Sequence, residues 1–197
     1  MKKILLIAAA VLLLLSCTGG PKRVDPSTQI DLSGYWNDTD VRIVCKSFID
    51  DIMASPRFNE SVRGFNSRPK VLVGPFANDS DEHIDTGIIT TVMEDVIFNS
   101  GRLDFVAGGA LRDTIRAERL NQREWAGEET AVRLGRETGA DFLLTGSVKT
   151  IVDRRDNEST RTYFVSSGLT NIENGERVWM KTNSEIKKYI KRPKNKL

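Results

Sequence analysis

With 29 basic and 27 acidic side chains in 197 residues, the chain is nearly neutral, and its formal surplus of +2 equals the contribution of Lys2 and Lys3. That balance excludes a global electrostatic case for nucleic-acid binding, and two cysteines exclude a disulfide-built scaffold. The length is about one domain's worth, with an ordinary globular composition.

The chain opens on a positive pair, Lys2 and Lys3, followed by twelve uncharged apolar residues from Ile4 to Leu15. A helix across ~30 Å of hydrocarbon needs ~20 such residues, so this run is too short to span a bilayer and has the pattern of an export signal. Its end, Leu14-Leu15-Ser16-Cys17, resembles the lipobox of bacterial lipoproteins. In those proteins the cysteine thiol receives a diacylglyceryl group, the peptide is cut just before it, and the new amine is usually acylated. The resemblance makes residues 1–16 a signal peptide and Cys17 the lipid-attachment residue, with the lipid bilayer as a partner. The alternative is an ordinary secretory signal followed by an unrelated cysteine. Cleavage leaves 181 residues with 27 basic and 27 acidic side chains. Lys187, Lys188, Lys191, Arg192, Lys194 and Lys196 crowd the C-terminus, so the rest of the mature chain is acidic by six. With Cys17 a thioether, Cys45 has no partner for an intramolecular disulfide.

Residues 17–30 read as the lipidated cysteine and a short flexible tether, polar and punctuated by Gly19, Gly20, Pro21 and Pro26. Order begins in Asp31–Asp38. Its aromatics, Tyr35 and Trp36, are either a plug on the domain's edge or a contact surface, and they are the candidate partner-contact residues. Asp38, Thr39 or Asp40 can cap a helix whose apolar positions are Val41, Val44, Cys45, Phe48, Ile52 and Met53. Cys45 lies in that stripe and reads as a small core residue. Ser55-Pro56 ends the helix.

Phe58 to Arg68 reads as an edge strand or a loop. Lys70–Gly74 is a strand without polar alternation, which predicts burial on both faces. Pro75 should stop it, leaving Ala77–Asp85 as an acidic loop. Ile84, Ile88, Ile89, Val92, Val96 and Ile97 predict a second helix, capped near Asp85 or Thr86 and stopped at Gly101. A short strand is expected over Leu103–Ala107, then a helix through Leu111 and Ile115, and a fourth over Glu128–Thr138. Phe142–Val148 is the next strand. Arg161–Thr170 and Glu176–Tyr189 are β-rich, with Asp156-Asn157 at one turn and Asn174-Gly175 predicting a type I′ hairpin. The expected fold class is α/β, in the mixed α+β sense. It is a single, three-layer-like domain over residues 31–189, with a mixed, largely antiparallel sheet flanked by helices, and residues 190–197 form a basic tail.

Catalytic patterns are missing from the sequence. The single histidine, His83, falls in an acidic run, Asp79–Asp85. Read as a calcium loop from Asp79, that run has Ile84 where a glycine is required and Thr90 where a bidentate Glu belongs. Gly108-Gly109 lies in neither a Gly-x-Gly-x-x-Gly nor a Walker pattern, and no Gly-x-Ser-x-Gly elbow occurs. No catalytic residue, metal ligand or cofactor is therefore assigned, and the chain is read as a non-enzyme.

Several motifs taken together resemble the LpoB family of penicillin-binding-protein activators, lipoproteins whose fold is related to the N-terminal domain of TolB. They are the lipobox at Cys17, Gly34-Tyr35-Trp36-Asn37-Asp38-Thr39-Asp40, and Val71-Leu72-Val73-Gly74-Pro75-Phe76-Ala77-Asn78 with Ile84-Asp85-Thr86. Gly139-Ala140-Asp141 leading to Gly146-Ser147-Val148 completes the set. The last motif is shared with TolB-like and curli-secretion lipoproteins, so it marks the fold more than the function. The resemblance implies a noncatalytic, palmitate-bearing lipoprotein of the outer membrane whose domain faces the periplasm. Its partner would be a cell-wall synthase, a penicillin-binding protein whose peptidoglycan synthesis, and with it cell shape, the lipoprotein supports. Thr18 after the cysteine is compatible with outer-membrane sorting. The alternatives are a secretion or assembly lipoprotein resembling the curli pore subunit, and a structural envelope protein. The clearly unstructured tether, Thr18–Ile30, is only thirteen residues, a reach of at most ~45 Å.

Overall fold

In the computed structural model, which describes residues 23–25, 28–106 and 139–192, the first helix is capped by Asn37 rather than by Asp38, Thr39 or Asp40. The Asn37 side chain accepts hydrogen bonds from the backbone N–H groups of Thr39 and Asp40, and Asp40 reaches back to accept the Asn37 N–H. This reciprocal arrangement satisfies donors at the helix start that have no intrahelical partner. Helix α1 (Asp38–Ala54) then buries Val41, Val44, Cys45, Phe48, Ile49 and Ile52.

Ser55 ends α1 in an extended conformation, as expected, and also starts something new. Its hydroxyl accepts the Phe58 N–H, and Pro56 supplies a preset φ in the first turn of α2 (Pro56–Ser61). The stretch from Phe58, read as strand or loop, therefore begins as helix. Phe58 turns inward and meets the Phe142 ring edge-on at 5.7 Å.

Strand β1 (Lys70–Asp79) does not stop at Pro75. Its parallel register with β3 (Phe142–Arg155) shifts between Val73 and Phe76. Pro75 sits at that irregularity, where its missing N–H costs no ladder bond. The acidic loop accordingly begins at Ser80, later than the sequence suggested.

Helix α3 (Thr86–Ser100) is capped by Asp85, whose carboxylate accepts the Gly87 N–H at 3.0 Å, and it ends at Gly101 in the left-handed region. Ile89, Met93 and Ile97 are buried, but Ile88, read as part of the same stripe, is half exposed. The following strand β2 (Asp104–Phe105) is shorter than expected and pairs parallel to β1. The helices expected through Leu111–Ile115 and over Glu128–Thr138 lie outside the described residues, as do Gly108-Gly109 and Cys17.

The β-rich C-terminal half is a long hairpin of β3 and β4 (Glu158–Asn171), paired along its whole length. The stretch read as one strand from Glu176 breaks into β5 (Arg177–Asn183) and β6 (Lys187–Lys191). Both pair antiparallel with β4, one after the other along the same edge. The Asn174-Gly175 turn is not type I′. Only Gly175 has positive φ there, and the Asn171 side chain accepts the N–H groups of Glu173 and Asn174, shaping a longer loop. Type I′ needs positive φ at both central residues.

The sheet order is β2-β1-β3-β4-β5, with β6 also on β4. Successive residues point to opposite faces of a strand. Val71, Val73, Phe142 and Leu144 join the main core with α1 and α3, while Leu72 and Leu143 join a smaller cluster with Ala140 and Ile172. Burial on both faces of β1 was thus correctly read from its lack of alternation. Among the described residues no helix is long and apolar enough to cross a membrane.

Candidate functional site

The described residues place Tyr35 and Trp36 at a knot of charges where the N-terminal segment crosses β4 and β6. Arg161 and Tyr163 lie two apart on β4 and so share a face. Both reach Glu82 in the loop after β1: Arg161 through a guanidinium ion pair, Tyr163 by donating its hydroxyl at 2.5 Å. The second Glu82 oxygen accepts the Trp36 N–H at 3.1 Å, and the Trp36 ring lies 5.1 Å from that of Tyr163. Arg161 also donates to Asp81 at 2.8 Å and lies 4.8 Å over the Tyr35 ring. Burial, reinforced by the Glu82 carboxylate, holds the Tyr163 phenol well above its ordinary range. A hydrogen bond from Thr150 holds the Asp81 carboxyl below its own.

Directly across from Arg161 on β6 stands Lys188. Two cations side by side in a buried setting repel, and each is balanced by its own acids. Lys188 donates to Asp40 and Asp31, both at 2.6 Å, and to the Tyr35 carbonyl at 2.8 Å. The Asp40 carboxyl nevertheless sits above the usual carboxylate range, because burial outweighs the help from Lys188.

The acidic run that resembled a defective calcium loop is thus committed to internal bonding. Asp81 and Glu82 face Arg161, Asp85 caps α3, and Asn78 accepts from Ser80 while donating to the Glu82 carbonyl. His83 is exposed. Beside the knot is a groove of about 560 Å3 with an apolar floor of Val41, Ile84 and Ile88, rimmed by Tyr35, Trp36 and Asp38. A second groove of about 840 Å3 continues from Val41 and Ile88 between α1 and α3.

The sequence reading located the two aromatics but missed Glu82, Arg161, Tyr163 and Lys188. One signal was available: Arg161 and Tyr163 alternate correctly for one face of a strand. Lys188 was hidden in an apparently solvated basic cluster. Within that cluster Lys191 pairs with Glu158 at 2.9 Å, whereas Lys188 is buried.

Cys45 is fully buried, its thiol donating weakly to the Ile89 carbonyl at 3.7 Å. Burial pushes it up to about 12, and a thiol that is not ionised is a poor nucleophile. A polar thiol reagent is expected to leave Cys45 unmodified in the native domain and to react fully in denaturant. Rapid native labelling, read by intact mass, would contradict that.

The residues that carried the family resemblance have local structural jobs. Gly34 has φ of 71°, and a Cβ there would lie 2.6 Å from Ile190 Cδ1. Asp141 accepts the Lys70 N–H at 2.7 Å, holding the start of β1 beside β3. Gly146 lets Phe76 lie against β3.

The family model described as peptidoglycan-synthase activator LpoB matches residues 40–184. Among solved structures, the C-terminal domain of LpoB from Escherichia coli aligns at 16% identity with a TM-score of 0.52, covering 78% of this chain and 99% of that one. The LpoB C-terminal domain from Salmonella enterica aligns at 15% identity with a TM-score of 0.45, covering 70% of this chain and 94% of that one. Lipoprotein GNA1162 from Neisseria meningitidis aligns at 17% identity with a TM-score of 0.47, covering 61% and 83%. No curated protein sequence matches the chain significantly.

Proposed function

Because the chain belongs to the LpoB family of peptidoglycan-synthase activators, matched over residues 40–184, we propose that its folded domain binds a penicillin-binding protein and stimulates it without chemistry of its own. The family match carries this reading. An activator of this kind needs only to bind the synthase's active conformation better than its resting one.

The domain is held at the outer membrane, facing the periplasm, by lipid on Cys17. The apolar run ending in Leu14-Leu15-Ser16-Cys17 supports this. Cys17→Ala is expected to abolish metabolic palmitate labelling and to leave the chain uncut at that position. Equal labelling of variant and parent, read together with intact mass, would remove the anchor from the account.

The synthase contacts the groove beside the knot, with Tyr35 and Trp36 at its rim. Exposed aromatics bury much apolar area with few rotamers to freeze. The purified protein is expected to bind a synthase from its own cell and raise its glycan output several-fold. Tyr35→Ala should weaken binding about tenfold with little change in melting temperature. Trp36→Ala should weaken binding too, and its stability cost should be larger because its ring packs on Tyr163. If the parent neither binds nor stimulates any synthase of its cell, the function is wrong. If it stimulates and Tyr35→Ala binds equally well, only the surface is wrong.

A further inference from the structure

The segment that leads into the domain is fastened in an unusual way. From Asp31 to Tyr35 its attachments are one carboxylate and one carbonyl on Lys188, the Asn37 amide donating to that same Asp31 carboxylate at 2.7 Å, the Tyr35 ring under Arg161, and Gly34 against Ile190. The Asp31 side chain is 57% exposed, and Leu32 is almost wholly so. Trp36, immediately after, is fixed differently, by its N–H on Glu82 and its ring on Tyr163.

Removing the segment would leave neither buried cation unpaired. Lys188 keeps Asp40, and Arg161 keeps Asp81 and Glu82. Asp31 is instead a second carboxylate on an ammonium that already has one; burial is the main reason the Asp40 pKa is raised, and the like charge of Asp31 adds to it in a small way. Breaking a buried ion pair is costly because a charge is left without compensation. This strap can detach without incurring that cost.

We infer that Asp31–Tyr35 is a releasable strap, an electrostatic latch with Trp36 as its hinge, that adds reach to the tether when it opens. Closed, the chain between Cys17 and the domain is thirteen residues, Thr18–Ile30, with a reach of at most ~45 Å. Five more residues add ~17 Å. Because the spacer role rests on the lipid at Cys17 and the proposed contact at Tyr35, a partner that touches Tyr35 holds the strap closed.

The latch itself is tested without synthase or membrane. Nitroxides at Ser33→Cys and Asn99→Cys, in a full chain carrying Cys17→Ser and with Cys45 buried, report the strap-to-α3 distance by pulsed dipolar EPR. The parent should give a narrow component from the closed strap and a minor broad one. Asp31→Asn and Gly34→Val should each raise the broad fraction at least threefold. The melting temperature should stay within about 2 °C of the parent for Asp31→Asn. A single narrow component in both variants would overturn the latch. So would a broad component that appears only as the domain melts, because the strap would then be part of the core.

Discussion

Lys188→Met is expected to lower the unfolding free energy of the domain by about 3–5 kcal/mol. The Lys188 side chain is 7% exposed, and all three of its donors are used. Losing it strands Asp40, which is 4% exposed in the first turn of α1. The sign of the pH dependence follows. Burial already raises the Asp40 pKa, with the ammonium opposing it, so the variant raises it further. Above about pH 4 the unfolded chain has released that proton while the folded variant still holds it. Stability therefore falls as pH rises through this window, and the deficit is smallest in acid. Urea titrations at two pH values check this. Asp40→Asn combined with Lys188→Met should recover part of the loss, since a neutral amide is left where a charge was stranded. A variant as stable as the parent at neutral pH would show that the Lys188–Asp40 pair contributes nothing to stability.

Gly146→Val should cost about 3 kcal/mol or more, or prevent folding altogether. A Cβ at this position would overlap the Phe76 ring and lie 2.5 Å from the Ser166 carbonyl oxygen of the neighbouring strand. Phe76 is 3% exposed and cannot swing away, and the Ser166 oxygen is backbone. Relief requires β3 to part from β4 along the best-paired stretch of the sheet. Gly64, which has nothing within 4 Å of a built Cβ, provides the control. Gly64→Ala should match the parent in soluble yield and urea midpoint. A Gly146→Val chain with a parent-like midpoint would mean the close approach of Phe76 is not maintained in solution.

The family resemblance and the physical reading converge on the same residues for different reasons. Gly34, Asn37, Asp40, Asp141 and Gly146 were picked out as motif positions. In the fold they are a left-handed turn, a reciprocal helix cap, a strand clasp and a close approach of ring to backbone. Such positions mark the family because they build the domain. Their roles concern what holds the domain together and do not by themselves point to a contact surface.

What the sequence determined by itself was local. The stripe of α1, the caps at Asp85 and Gly101, and the double-sided burial of β1 all arise from residues within a few positions of one another. Periodicity and capping chemistry record such relations directly. The apolar run into Cys17 is equally local. Pro75 and the Asn174-Gly175 turn were misread because a bulge and a side-chain-shaped loop depend on neighbouring strands and on Asn171. The knot was beyond reach for a stronger reason. Glu82 meets Arg161 across 79 positions and Asp40 meets Lys188 across 148. A carboxylate or an ammonium looks the same in sequence whether solvent or a buried counter-ion awaits it. Only the placement of β6 beside β4, of the β1 loop over β4 and of the start of α1 over β6 decides which of the chain's many charges are withdrawn from water and made to balance one another.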